Sequence, residues 1–65
     1  MVEFTLKINK KQGTVYIPKV IRNAFGLRLK ILPDNEAGVF YRETADLKRV
    51  VESLNIIIQD LKLRC

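Results

Sequence analysis

The sequence contains no histidine, no tryptophan and a single cysteine, Cys65. With one cysteine no disulfide forms within a chain, and the usual Cys/His zinc spacings are excluded. Without histidine there is no nucleophile–imidazole pair. The expectation is therefore a protein that is not an enzyme, with no catalytic residue, no cofactor and no metal, and with Cys65 as a silent exposed thiol. Long apolar runs are also missing. The longest, Ile56-Ile57-Ile58, falls far short of the roughly 20 residues that cross a membrane. No basic stretch followed by an apolar one opens the chain, so no membrane partner and a cytoplasmic location are expected. Repeats, low-complexity tracts and Ser/Pro linkers are absent too.

Sixty-five residues make one small domain. A chain of this size buries only about 60% of its unfolded surface, which leaves a marginal core. With disulfides and metals excluded, association with another chain is the remaining source of stability.

What is present is basic charge, unevenly placed. Twelve Lys and Arg face seven Asp and Glu, a net charge of +5. Residues 1–30 hold Lys7, Lys10, Lys11, Lys19, Arg22, Arg28 and Lys30 against Glu3 alone, a net of +6. Residues 31–65 hold five bases and six acids, a net of −1. A basic half joined to a near-neutral half points to a polyanion-binding surface beside a separate assembly segment.

Hydropathy patterning divides the chain accordingly. Val2, Phe4, Leu6 and Ile8 alternate with Glu3, Thr5, Lys7 and Asn9, the period of a half-buried strand. Lys10-Lys11-Gln12-Gly13 reads as a turn, and Thr14-Val15-Tyr16-Ile17 resumes the alternation, giving a first β-hairpin. Pro18 stops that strand and suits the first position of a helix. Val20, Ile21, Ala24 and Phe25 then share one helical face, and Gly26 ends the helix after about two turns. Leu27, Leu29 and Ile31 alternate with Arg28, Lys30 and Leu32; a turn over residues 33–38 leads to the β-prone Val39-Phe40-Tyr41-Arg42, a second hairpin. Beyond it, Thr44 is the expected N-cap of an amphipathic helix over residues 44–64. Its stripe is Leu47, Val50, Leu54, Ile57 and Leu61, widened by Val51 and Ile58, while Ile56 and Leu63 fall outside it.

The run from Gly13 to Leu27 carries the most information. Gly13, Val15, Ile17, Pro18, Arg22, Gly26 and Leu27 fall at set offsets, with Phe25 in the place of a leucine. This spacing resembles the swapped-hairpin DNA-binding domains of the AbrB/MazE/SpoVT family, over roughly residues 3–42. The resemblance implies a mainly β fold with α: a swapped-hairpin, dimeric β-barrel with one short helix, to which this chain adds its C-terminal amphipathic helix. It implies a division into residues 1–42, which bind DNA, and residues 43–65, which serve dimer or higher-oligomer assembly or bind a partner.

The same resemblance implies double-stranded DNA as a partner. Arg22 matches a basic position of the family's helix, and Lys7 a basic position of its first strand. Lys10 and Lys11 on the turn and Lys19 on the helix add charge. Thr14 stands where many relatives carry Arg or Gln, and Asn23 where a second base often follows. The candidate DNA-binding set is thus Lys7, Lys10, Lys11, Thr14, Lys19, Arg22 and Asn23. The arrangement after Leu27 departs from the family, which usually places a turn ending in Gly-Asp before its third strand.

Two functions share this N-terminal pattern. One is a transcriptional regulator. The other is a VapB- or MazE-type antitoxin, which binds its operator and uses its C-terminal segment to bind a toxin. A ribbon–helix–helix regulator would share the function, but it has no room for the strands at 13–17 and 39–42. Tyr16 reads as a surface residue opposite Val15, and Asp34 with Glu36 as turn polarity.

Overall fold

The computed structural model describes residues 2–65. Four elements follow in order: α1 (Lys19–Phe25), β1 (Leu29–Pro33), β2 (Gly38–Arg42) and α2 (Leu47–Arg64). The fold is mixed α/β, with helices of seven and 18 residues against two five-residue strands. This corrects the expectation of a mainly β chain. The shortfall in strand lies in the first hairpin.

That hairpin is reduced to one antiparallel bridge, Ile8 with Val15. Its turn is nonetheless well made. The Asn9 side-chain carbonyl accepts from the backbone N–H groups of Lys11 (3.0 Å) and Gln12 (3.1 Å). The Asn9 backbone carbonyl accepts from Gly13 N–H, and Asn9 N–H donates to the Thr14 carbonyl. Gly13 closes the turn at φ +69°, a left-handed conformation that glycine adopts without the Cβ penalty. Extending the ladder from Ile8–Val15 would soon set Thr5 opposite Pro18, which has no N–H to donate. Residues 2–7 pair with no strand among the described residues.

The second hairpin is the one that forms a full ladder. β1 and β2 pair antiparallel from Leu29↔Arg42 to Pro33↔Gly38. Pro33 is tolerated because it ends its strand, and the loop closes with Asp34 N–H on the Ala37 carbonyl at 2.7 Å. β1 begins at Leu29 rather than Leu27. One step beyond the ladder Arg28 is engaged differently: its carbonyl accepts from Glu43 N–H, and its Nε donates to Glu43 Oε2 at 3.1 Å.

The helix starts differ from expectation by small amounts. Pro18 is the N-cap of α1, not its first residue, with ψ at 146°. Its carbonyl accepts from the N–H groups of Ile21 and Arg22. The α2 cap is Asp46, not Thr44. Residues 43–44 form a turn closed by Ala45 N–H on the Arg42 carbonyl, so the chain is not free to enter a helix until Asp46. There the carboxylate accepts from Lys48 N–H at 3.0 Å, removing one of the four orphan donors of a helix start. Lys62 and Arg64 occupy the last turn, where cations meet the negative end of the helix dipole.

Packing is thin. No described residue is buried. α1 is anchored by Phe25, whose ring meets Phe40 of β2 edge-on with centroids 5.2 Å apart, the favoured geometry for an aromatic pair. Between β2 and α2 runs an apolar groove of about 300 Å³, lined among others by Phe25, Phe40, Val50, Leu54 and Ile57. Val50 and Leu54 are half-buried along it, whereas Leu47, Val51, Ile58 and Leu61 on the same helix are exposed. Leu27 (89%) and Leu63 (87%) stand almost fully in solvent. No described helix is long and apolar enough to cross a membrane.

Candidate nucleic-acid interface

Of the seven bases in residues 1–30, Arg28 pairs with Glu43 and Lys30 lies exposed on β1, and the other five stand in three settings. Lys7 lies on the strand-like segment next to the Ile8–Val15 bridge, Lys10 and Lys11 on the turn, and Lys19 and Arg22 on α1. All five are exposed. Among the described residues, the ion pairs are Arg28–Glu43, Arg64–Glu3 and Arg64–Asp60. Lys7, Lys10, Lys11, Lys19 and Arg22 thus have no carboxylate partner among the described residues, so their charge is uncompensated where it meets solvent. Thr14 contributes its backbone carbonyl to the turn, and Asn23 is exposed on α1.

The carboxylates are drawn elsewhere. Arg64 holds both Glu3 and Asp60, tying the start of the chain to the end of α2. The hydrogen bond to Glu3, then the charges of Asp60 and Glu3, raise the pKa of Arg64 above its ordinary value. Glu3, the one acid of residues 1–30, is thereby engaged by Arg64 rather than by a base of that half.

Arg22 is the most constrained of these bases. Its N–H donates to the Pro18 carbonyl at 3.1 Å, and its carbonyl accepts from Gly26 N–H at 2.8 Å. The spacing of four residues from Pro18 to Arg22 and four more to Gly26 is thus one hydrogen-bonded chain through both ends of α1. Gly26 terminates it at φ +82°, again in the left-handed region. At the other end of the side chain, Nη2 donates to the Tyr16 hydroxyl at 3.3 Å, and Cζ lies 5.4 Å from the Tyr16 ring centroid.

The structure thus brings Arg22 to Tyr16 and sets Lys7 beside the bridge that leads to it, with Lys10 and Lys11 at the turn between. Sequence reasoning took Tyr16 for a surface residue and gave Asn9 no role. A signal for Asn9 was present: an Asn four residues before a turn Gly is the pattern of a side chain that caps its own turn. Tyr16 had no comparable signal, because its partner lies six residues away across a strand-to-helix boundary. Arg42 and Arg49, which flank the apolar groove, were not singled out either.

Chemically, four lysines, a hydroxyl-bearing Thr14 and the guanidinium of Arg22 held by Tyr16 suit phosphate oxygens and base edges. Comparison with family models, with curated proteins and with solved structures finds no match for this chain.

Proposed function

We propose that this protein is a dimeric DNA-binding protein, a transcriptional regulator that engages duplex DNA through the basic surface of its first 30 residues. The observation that carries this reading is that residues 1–30 expose six bases, Lys7, Lys10, Lys11, Lys19, Arg22 and Lys30, without a carboxylate partner among the described residues, while their one acid, Glu3, is held by Arg64. A surface meant only for solubility intersperses both signs. Here one sign stands alone on a strand-like segment, a turn and a short helix. The resemblance of residues 13–27 to the swapped-hairpin DNA-binding family supports the same reading.

The dimer is supported by area. A folded monomer of 7.5 kDa exposes roughly 4,250 Å² by the surface scaling of small proteins. This chain exposes 6435 Å², an excess of roughly 2,200 Å² by the same scaling. If two copies each cover that excess, the interface totals roughly 4,400 Å², within the range of obligate dimers. The interlocked barrel belongs to this proposal, as do the exposed apolar residues Val2, Phe4, Leu6 and Ile8 that it would cover.

The reading is tested by salt-dependent titration of duplex DNA. In a two-fold dimer each base appears twice, so six to ten phosphate contacts give a slope of about −5 to −9 in log affinity against log salt. Arg22→Ala is expected to cost roughly 1–3 kcal/mol and blur sequence preference, and Lys7→Ala to weaken all sequences alike. A Lys7/Arg22 double alanine variant that stays dimeric and binds with unchanged affinity and slope refutes the assignment.

One observation favours the antitoxin reading as the second choice. The groove beside α2 and the exposed row Leu47, Val51, Ile58 and Leu61 form an apolar surface that an absent toxin would cover. A second copy covers the same surface without invoking another protein.

A further inference from the structure

We infer that Tyr16 is the positioning residue for Arg22, holding its guanidinium fork in the orientation that reads nucleic acid. The inference rests on the DNA-binding reading and deepens it.

An exposed arginine normally samples many rotamers, and ordering its side chain on binding costs entropy. Arg22 is held at both ends. Its backbone is fixed between Pro18 and Gly26, and its guanidinium is held by the hydroxyl and ring of Tyr16. The two Tyr16 contacts differ in kind. The hydroxyl accepts one N–H at 3.3 Å, and the ring attracts the cation with Cζ 5.4 Å from its centroid. Of the five guanidinium donors, one is used on Tyr16, leaving four for acceptors outside the protein. A fork fixed in this way suits a bidentate contact with a purine edge or a phosphate.

The alternative is that Tyr16 merely shields the hairpin. Its environment argues against that: Tyr16 is 71% exposed, and among the described residues its hydroxyl bonds to Arg22 alone. A tyrosine this exposed contributes little to stability, so a fixed Arg22 is the main consequence of its presence. An Arg–Tyr contact at an exposed site is weak, and the expected effects are correspondingly small.

The test is a double-variant cycle on the full chain, read by duplex DNA affinity, salt slope and nuclear magnetic resonance. In the free protein, the Arg22 side-chain protons are expected upfield of their ordinary shift, under the Tyr16 ring current, and back at it in Tyr16→Leu. Tyr16→Leu is expected to weaken DNA binding about three- to tenfold, from the loss of the cation–π and hydroxyl contacts. Tyr16→Phe, which keeps the ring, is expected to lose about twofold. Neither variant removes charge, so the salt slope stays that of the wild type, whereas Arg22→Ala lowers it by about one. In an Arg22→Ala background, Tyr16→Leu is expected to change nothing further.

An equal loss in both backgrounds refutes positioning, because Tyr16 would then touch the nucleic acid itself. So does an Arg22 side chain with ordinary shifts in the free wild type. Failure of the wild type to bind duplex DNA with a steep salt slope sinks the underlying function. Wild-type binding together with a neutral Tyr16→Leu sinks this inference alone. Should Tyr16→Leu perturb the fold by melting, Tyr16→Phe carries the comparison.

Discussion

Dilution is the simplest perturbation that reaches the central claim. The chain has no buried residue among those described, yet it exposes roughly half as much surface again as a folded monomer of its mass. If a second copy covers the excess, folding and association are one equilibrium, and its midpoint must depend on concentration. The size of that dependence follows from the chain length. Two 65-residue chains unfold with an entropy of about 0.27 kcal/mol/K, at roughly 2.1 cal/mol/K per residue. A tenfold dilution removes about 1.4 kcal/mol of association free energy. The thermal midpoint should therefore fall by about 5 °C per tenfold dilution. Circular dichroism melts from about 100 to about 1 μM should thus shift by about 10 °C, with sedimentation reporting the dimer mass below the transition. A fixed midpoint with a compact monomer by sedimentation refutes the reasoning. It would mean that the excess surface is stable in water.

Two further predictions address α2. Asp46→Ala removes the side-chain acceptor of Lys48 N–H and should cost about 1 kcal/mol, seen as a lower midpoint with an unchanged dimer mass. Leu54→Asp sets a carboxylate in the half-buried centre of the helix stripe and should cost several kcal/mol if a second copy covers that stripe. A Leu54→Asp chain with wild-type midpoint and dimer mass would assign the stripe to an absent partner, which favours the antitoxin reading.

The sequence was most legible where local chemistry is decided within a few residues. Pro18, Gly26 and the apolar face between them predicted α1 to within a residue, because a proline, a glycine and one helical face suffice for two turns. The stripe from Leu47 to Leu61 predicted α2, and the error at its start arose from choosing between two good caps. Thr44 and Asp46 both accept hydrogen bonds, but the turn that follows β2 takes up residues 43–44. Nothing in the pattern of residues 44–46 records that tertiary constraint. The second hairpin was read with its boundaries displaced by one or two residues, since Leu27 continues the alternation although the ladder ends at Leu29.

The first hairpin was the opposite case. Its alternation is the clearest in the chain, yet one bridge forms. Alternation reports that one face of a strand expects cover; it does not say which strand supplies the pairing. Within this chain Pro18 limits the ladder to three pairs at most in the observed register, too few to cover the face from Val2 to Ile8. For the site, the individual bases were legible as charge, but the Arg22–Tyr16 contact was not, because it depends on the angle between a strand-like segment and α1.

The division of charge gives the proposed arrangement a physical economy. Association brings surfaces together, and like charges on them would oppose it. The apolar surface left open on β1, β2 and α2 lies in residues 31–65, whose net charge is −1, with six acids against five bases. Two copies meeting there bring almost no net charge into proximity. The net charge of +6 in residues 1–30 would then be free to face solvent, and a dimer would present it twice. Glu3, the acid that could dilute it, is held at the far end of α2 by Arg64. In the proposed dimer, the contacts made through the near-neutral half therefore do not compete with recognition through the basic half; only those that cover Val2, Phe4, Leu6 and Ile8 lie within residues 1–30.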